Sequence, residues 1–317
     1  MSSSHQDNHQ KAHLRHKGEL LLFLAALTYG FNGVVAKWVL LAPLNSIRLT
    51  EIRTLGASVL LGIWIAIKQP HELRIPRSMW REILVFGIIG VTAVQVFYFY
   101  SISKMPVSIA LIIEFTAPIW ITLYLRFIKH ETVAKSMWYG LGLGFGGLIL
   151  LAQVWKGLTL NGLGLISSFL DALSLAYYYY KAGQLSKKMS SEAVVFWGMA
   201  LTALFLAVVQ PWWSYPFHIF TDQIPLTGNF SGHTLPGWVL ILWVVVMGTL
   251  MPYLLVVRGI KHLNASIAST IGMLEPILAG VFAWVMMNEH LNVIQLLGAC
   301  VVLAGIYLAD HASRSNP

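Results

Sequence analysis

The feature that most constrains this chain is a series of ten apolar runs, each close to 20 residues long and nearly free of charge. A helix needs roughly 20 predominantly apolar residues to cross a hydrocarbon core of about 30 Å. The sequence therefore predicts an all-α integral membrane protein with ten transmembrane helices. The predicted spans are residues 19–40, 47–67, 82–103, 106–128, 136–155, 161–181, 192–211, 238–260, 265–287 and 292–310.

Composition excludes the other broad classes of protein. A chain that is 57% hydrophobic and 11% charged is too apolar for a soluble or a disordered protein. Its single cysteine, Cys300, excludes a disulfide scaffold. The net charge of +8 comes from Lys and Arg scattered between apolar runs. We therefore expect the lipid bilayer, and no nucleic acid, as a partner.

The basic residues also predict an orientation. With the amino terminus in the cytosol, five of the 21 Lys and Arg fall on the outer side, and the connection over residues 211–236 contains none. Cytosolic segments of membrane proteins are enriched in Lys and Arg, so both termini are predicted to be cytosolic in an inner or plasma membrane. Residues 1–18, which contain several histidines, and 311–317 are the predicted tails. The five outer residues are Lys37, Arg48, Arg53, Lys104 and Lys156.

The two halves of the chain resemble each other. A shift of 158 residues aligns residues 106–151 with 264–309 without a gap. Five spans in each half is an odd number, so the second copy must cross the membrane in the opposite sense. The sequence predicts inverted repeats over 19–155 and 161–310, an architecture that recurs in secondary transporters with a midplane site. Duplication in a structural membrane protein is the alternative. Matched positions include Pro118 with Pro276, Glu131 with Glu289, and Gly140 with Gly298.

Three acidic residues fall near the middle of predicted spans, at Glu114, Asp171 and Glu275. A helix rises about 1.5 Å per residue, which places them roughly 12–15 Å deep. An acidic side chain there costs on the order of 2.5–3.5 kcal/mol. We therefore predict that these carboxyls bind a proton or a cationic amine. For Glu275, which precedes Pro276, a purely structural role in a helix break stays open.

Other polar groups are predicted at the same depth. Pro118 and Pro276 cannot donate to the carbonyls of Glu114 and Gly272, so both helices should break beside a cavity. Ser174 and Tyr178 follow Asp171 by 3 and 7 residues, which places all three on one helical face.

Two amides and a run of tyrosines complete the candidate site. Asn32 and Gln95 are the deepest amides, and we include both. The run over residues 177–180 is typical of an interfacial aromatic belt, so only Tyr178 is taken from it. Apart from Lys37 near an outer end, the middle of the spans is predicted to be acidic.

Several motifs that suggest chemistry lack the context that it requires. Gly142, Gly144 and Gly147 fit G-x-G-x-x-G, but no strand precedes them, as a dinucleotide site needs. Gly140/Gly144 and Gly142/Gly146 instead predict close helix packing. No histidine falls inside a span and no Walker-type loop is present, so we expect neither an enzyme, nor ATP-driven pumping, nor a metal site in the membrane.

The pattern resembles the drug/metabolite transporter superfamily, and within it the EamA-type ten-helix transporters, over nearly the whole chain. The resemblance implies that the chain exports small organic solutes, amino acids among them, and uses no cofactor. It names no substrate. The matching residues are Thr28–Asn32, Lys37, Arg53, Thr116–Pro118, Leu274–Pro276, Asn288–Leu291, Gln295, Gly298 and Gly305.

The sequence-based hypothesis is a secondary exporter of a small amine-bearing or zwitterionic metabolite, with proton exchange through Glu114, Asp171 or Glu275. One alternative is an organophosphate or nucleotide-sugar exchanger of the same fold, which would need basic residues at mid-depth. Another is a membrane-embedded enzyme. Whether a second copy of the chain is a partner, as a homodimer, stays open.

Overall fold

A computed structural model describes residues 2–42, 44–105, 107–155 and 161–314, with side chains from residue 12 onward except those of 108 and 314. Most of this chain is helical. We number the helices in chain order and mark the two parts of an interrupted helix a and b. The helices are α1 Ser2–Leu41, α2 Ser46–Lys68, α3 Trp80–Ile102, α4a Val107–Glu114, α4b Ala117–Phe127, α5 Lys135–Ala152, α6 Gly162–Leu185, α7 Ser191–Val209, α8 Gly237–Ile260, α9a Ala265–Gly272, α9b Leu274–Met287 and α10 Val293–Arg314.

The connection after α7 contains the two strands of the fold. β1 (Gln223–Pro225) pairs antiparallel with β2 (Thr234–Pro236), with Ile224 opposite Leu235. Short 3₁₀ turns lie before and between the strands, and another follows α2. This hairpin is the one departure, within the described residues, from the predicted all-α class. The 3₁₀ turns are Pro70–Leu73, Trp212–Ser214, Phe217–Phe220 and Gly228–Phe230.

Eight helices in the described part of the chain are long and apolar enough to cross a membrane. They are the helices at predicted spans 1 to 4 and 7 to 10. The remaining two, α5 and α6, also form where spans were predicted. Buried polar residues such as Ser167, Ser168, Asp171 and Ser174 lower the mean hydropathy of α6. The crossing by α5 and α6 therefore stays a prediction.

The first helix is longer than its predicted span, because it begins at Ser2 and continues without a break to Leu41. The predicted tail is thus helical from Ser2. Arg15 in this region donates to the backbone oxygen of Asp310 at 3.1 Å and pairs with its carboxylate. The two ends of the chain therefore meet at one end of the molecule, which we call the terminal end.

One continuous hydrophobic core occupies the terminal end. It takes buried residues from the first half of each odd-numbered helix and from the second half of each even-numbered helix, when α1 is measured over its candidate span Ala12–Leu41. Successive helices therefore run in opposite directions. Representatives from α1 to α10 in order are Leu22, Leu61, Phe86, Ile121, Leu141, Leu185, Met199, Val257, Ile271 and Ala309.

The opposite end, which we call the hairpin end because β1 and β2 lie there, has two separate cores. Val39, Leu49 and Val244 represent the first, formed by α1, α2, α8 and the hairpin connection. Ile109 and Val302 represent the second, formed by α4a, α5, α10 and the junction of α9a and α9b. The core is therefore divided at the hairpin end and continuous at the terminal end.

Helix contacts follow a regular rule. When five is added to helix numbers 1–5 and subtracted from helix numbers 6–10, each extensively packed pair of helices becomes another extensively packed pair. Thus α1 packs on α8 as α6 packs on α3, and α1 packs on α9 as α6 packs on α4. The contacts of α2 with α7 and of α5 with α10 convert into themselves, whereas α4 and α9 touch through α4b and α9a.

Glycines let α5 and α10 touch through their backbones. An added Cβ would lie 2.6 Å from the backbone N of Val302 at Gly147, and 2.7 Å from that of Ala309 at Gly140. The same holds from the other side, where a Cβ at Gly298 would lie 2.6 Å from the backbone N of Leu151. Close contact of this kind is a recognised means of packing membrane helices.

The second predicted glycine motif does not pack. No heavy atom of the described chain lies within 4 Å of a Cβ built at Gly142 or at Gly146, whereas Gly144 lies against α10 through Gly305. The interpretation of Gly142/Gly146 as a packing motif was wrong. The physical reason is that these two residues lie on the face of α5 turned away from α10.

Neighbouring glycines of α5 provide a test. Gly147→Ala should destabilise the protein by about 1–3 kcal/mol, because the methyl group overpacks a backbone contact. Gly146→Ala should leave stability unchanged or raise it, because the site is open and Ala favours helix. Thermal unfolding of both purified variants in detergent measures the difference, and equal melting temperatures would contradict the packing described here.

Candidate functional site

Two helix interruptions position two of the predicted acids. Helix α4a ends at Glu114, and α4b, which carries Pro118 in its first turn, begins two residues after Phe115. The intervening turn is tightened, since the backbone N of Thr116 donates to the carbonyl of Ile113 at 3.0 Å. Such a three-residue bond is what remains available where proline cannot continue the helical ladder.

The equivalent interruption lies between α9a and α9b. Met273 separates the two parts, and its backbone N donates to the carbonyl of Thr270 at 3.1 Å. Glu275 and Pro276 fall in the first turn of α9b. Both helices therefore break at the positions of the two prolines, and each break carries one carboxylate.

The three predicted acids are brought together. The carboxylates of Glu114 and Glu275 are close enough for their charges to interact, and the same holds for Asp171 and Glu114. Asp171 is fully buried, and neither of its carboxylate oxygens has a hydrogen-bond partner among the described residues. Glu114 and Glu275 are each partly exposed. The three helices α4a, α6 and α9b thus present an acidic cluster, which we define as Glu114, Asp171 and Glu275.

An arginine joins this cluster, contrary to the expectation of an acidic mid-depth region. The charge of Arg53 on α2 interacts with that of Glu275. Its Nη2 donates to the Oε1 of Gln95, and the Nε2 of Gln95 donates to the hydroxyl of Tyr253 at 2.8 Å. Arg53 was not among the predicted site residues, because the depth of a residue does not show which face of a helix points inward.

The predicted face of α6 is buried as a unit. Asp171, Ser174 and Tyr178 are all buried, and the hydroxyl of Tyr178 has no partner among the described residues. The ring of Tyr178 packs against those of Phe86 and Tyr253, with centroids 5.7 and 5.8 Å apart. These residues extend the site from the acidic cluster toward the core of the terminal end.

The neighbouring Tyr179 belongs to the site as well. It is buried, interacts electrostatically with Glu275 and Glu114, and its hydroxyl lies 2.8 Å from where a Cβ of Gly272 would be. The interpretation of the tyrosine run as an interfacial belt was therefore wrong for Tyr179, whereas Tyr178 had been predicted to lie in the site. Their burial follows from the position of this stretch of α6 among several packed helices.

Asn32 lies in a different setting from the other predicted residues. It is buried on α1 against α8, where a Cβ on Gly248 would overlap its side chain. Its Oδ1 has no hydrogen-bond partner among the described residues. Gly248 belongs to a π-helical segment, Val246–Leu250.

Helices α3 and α8 each contain such a π segment, which the sequence analysis missed. In α3 the segment is Phe86–Thr92, and the Thr92 hydroxyl donates to the carbonyl of Gly87 at 2.9 Å. In α8 the Thr249 hydroxyl donates to the carbonyl of Val244 at 2.9 Å. Segments of this kind occur frequently at functional sites, and these two flank α6 and α1 at equivalent places.

A further buried acid, Glu51, takes part in a contact that joins two helices. Glu51 on α2 is fully buried, and its Oε2 accepts from Arg48 Nη1 at 2.6 Å. The same guanidinium donates to the carbonyl of Gln210 at 3.0 Å and to that of Pro211 at 3.3 Å. This pair fastens α2 to the end of α7, and it is separate from the acidic cluster in its bonding.

A cavity of about 170 Å³ lies beside the two helix interruptions. Its lining is mainly apolar and includes Phe115, Leu148 and Pro276. An apolar lining suits movement of the broken helices better than binding of a charged solute. Among the residues described, no group of three or more His, Cys, Asp or Glu is placed to hold a metal ion.

Several known transporters are similar to this chain over most of its length. The threonine/homoserine exporter RhtA of Salmonella typhimurium is 26% identical over 259 residues, which covers 80% of this chain and 79% of that protein. The uncharacterized transporter sll0355 of Synechocystis is 25% identical over 89% of this chain and 87% of its own length. The uncharacterized inner membrane transporter YicL of Salmonella typhimurium is 22% identical over 94% and 96%.

A solved crystal structure with 16% identity has a TM-score of 0.74 over 94% of this chain and 98% of the other, so the two share a fold. The family model described as the EamA-like transporter family matches this chain twice, over residues 16–153 and 162–309. With several apolar helices able to span a membrane, the chain is a multi-pass membrane protein. It belongs to the EamA-like transporter family.

Proposed function

We propose that this chain is a secondary exporter of a small amine-bearing or zwitterionic metabolite of amino-acid type. The observation that carries the proposal is the acidic cluster, in which carboxylates from α4a, α6 and α9b lie close enough to interact. Carboxylates at such depth are costly, and those inside membrane proteins commonly serve ion or substrate pathways.

Recognition of an amine follows from the charge of the cluster. The carboxylate of Glu114 is repelled by those of Glu275 and Asp171, and within the described part of the chain Arg53 offsets this charge through Glu275. An ammonium group or a proton placed between Glu114 and Asp171 would relieve that repulsion. Because either cation would serve, the same cluster can bind a proton in one step and an amine in the next.

We propose that the chain crosses the membrane ten times, as two inverted five-helix repeats over 19–155 and 161–310. The alternating helix directions, the contact rule and the double family match support it. We further propose an inner or plasma membrane with both termini cytosolic. The basic residues and the inner membrane relative support that location.

The name of a relative and the charge of the site both favour an amino acid as the solute. A relative named as a threonine/homoserine exporter favours an amino acid. An organophosphate or nucleotide sugar would bring several negative charges to a site with three carboxylates and one guanidinium, so repulsion weighs against that alternative. The names of the relatives weigh against a membrane-embedded enzyme.

Replacement of Asp171 tests the role of the cluster. Asp171→Asn should abolish uptake of L-threonine or another transported amino acid into inverted vesicles, because the amide can neither carry a proton nor offset an ammonium charge. Expression and melting temperature should be retained, since no hydrogen bond in the described structure is lost. Unchanged transport by this variant would remove Asp171 from the mechanism.

Glu51 provides the matched control for a buried acid. Glu51→Gln should lower stability by about 3–5 kcal/mol, because it leaves the charge of buried Arg48 unpaired. The protein that remains folded should still transport. Thermal unfolding together with vesicle uptake separates the two acids, and the assignment fails if Glu51→Gln spares stability but abolishes uptake.

Proton exchange makes a separate prediction. An acidic vesicle interior should accelerate amino-acid uptake into inverted vesicles, because protons leaving through the cluster drive the solute inward. Glu114→Gln should lose this acceleration. Uptake rates with and without an imposed pH gradient provide the measurement, and indifference of the wild-type protein to the gradient would favour facilitated diffusion.

A further inference from the structure

Arg53 is held in place but is not saturated with hydrogen bonds. Gln95 accepts from its Nη2, and Gln95 is fixed in turn by the hydroxyl of Tyr253. The Nε of Arg53 is buried and has no partner among the described residues. The guanidinium carbon lies 6.0 Å from the centroid of the Phe99 ring. A guanidinium has five N–H donors in a planar fork, so donors remain for another acceptor.

The other arginine of α2 provides the comparison. Arg48 directs its two terminal nitrogens to Glu51, to Ser214 and to the carbonyls of Gln210 and Pro211. Such a guanidinium is occupied by the protein itself. Arg53 is five residues further along the same helix, partly exposed, and its hydrogen bonding is incomplete. The protein therefore occupies the terminal nitrogens of Arg48 with its own acceptors, whereas Arg53 keeps donors that can bind an anion.

The surroundings of Arg53 indicate which anion fits. The charge of Arg53 interacts with that of Glu275, and the carboxylates of Glu114 and Asp171 belong to the same charged site. A solute carrying both a carboxylate and an ammonium group can complement both kinds of charge at once. Arginine binds carboxylates through two parallel N–H···O bonds, which lysine cannot reproduce.

We propose that Arg53 binds the carboxylate of the transported solute, positioned by Gln95 and Tyr253, so that the site selects zwitterionic amino acids over simple amines. This inference rests on the proposed function and makes it narrower. The ammonium group of the same solute faces Glu114 and Asp171. Arg53 is thus a specificity-determining residue of the acidic site.

The test compares amino acids with the same molecules lacking the carboxyl group. The pairs are L-threonine with 1-amino-2-propanol, L-leucine with isoamylamine, and L-phenylalanine with phenethylamine. Dissociation constants are measured on the purified full chain by thermal shift or calorimetry. The readout is the ratio of affinities within each pair, which a general loss of folded protein does not change.

Wild-type protein should prefer the amino acid of at least one pair. Arg53→Gln should lower that preference at least tenfold and leave the affinity for the amine within about twofold, because glutamine has neither the charge nor the two parallel N–H donors that bind a carboxylate. Arg53→Lys should give an intermediate ratio, since it retains the charge but lacks the planar fork.

Gln95→Leu is the second variant, and it keeps the inference testable if Arg53→Gln does not fold. It removes the acceptor that orients the guanidinium, so it should lower the preference for the amino acid without removing the charge. A ratio that stays unchanged in Arg53→Gln, or in Gln95→Leu when Arg53→Gln does not fold, would overturn the inference.

Two further results would also count against it. Equal weakening of amino acid and amine in Arg53→Gln would show that Arg53 only neutralises Glu275, which overturns the inference and leaves the exporter proposal standing. A wild-type protein that binds amines but no amino acid would do the same. Binding of neither class by the wild-type protein would sink both proposals together.

Discussion

Charge inside an apolar interior is the constraint on which the rest of this structure depends. Each buried ionised group must find a partner of opposite charge, a hydrogen-bond donor or acceptor, or water. Glu51 meets this requirement through Arg48, and the pair ties two helices together. In the acidic cluster, neither carboxylate oxygen of Asp171 has a hydrogen-bond partner among the described residues, and this is why we propose the cluster as the cation site.

Much of this architecture could be predicted from the sequence, because the relevant signals are local. The length and hydropathy of a run indicate a helix that can cross a membrane, and the helices of the structure agree with the predicted spans to within a few residues, apart from the early start of α1. A proline acts on the carbonyl four residues before it, so Pro118 and Pro276 marked both interruptions. Counting residues along the spans predicted that the three acids lie at similar depth.

What could not be predicted depends on which face of a helix meets a neighbour. Counting depth placed Arg53 along the chain but not beside Glu275. By their spacing, Gly142 and Gly146 could not be distinguished from Gly140 and Gly144, although only one side of α5 touches α10. The π segments were missed for a related reason, since one extra residue in a turn leaves no mark in an apolar run.

The repeated packing and the chemistry of the site follow different rules. The shift of 158 residues aligns Glu114 with Gly272, and Glu275 with Ala117. Neither carboxylate has an acidic counterpart in the other half, although the helix interruptions do correspond. The two breaks are therefore similar in their backbones but carry different side chains. A site without twofold symmetry can recognise a solute that has distinct positive and negative ends.

The unequal cores at the two ends of the molecule have a consequence for the energetics of a carrier. In the proposed exporter, releasing a solute toward the terminal end would part the single core there, and the two separate cores at the hairpin end would merge. Apolar surface exposed at one end would then be covered at the other, and burial is worth roughly 25 cal/mol per Å² wherever it occurs. The two shapes would then stay close in free energy, and a difference in their affinity for the solute would decide between them.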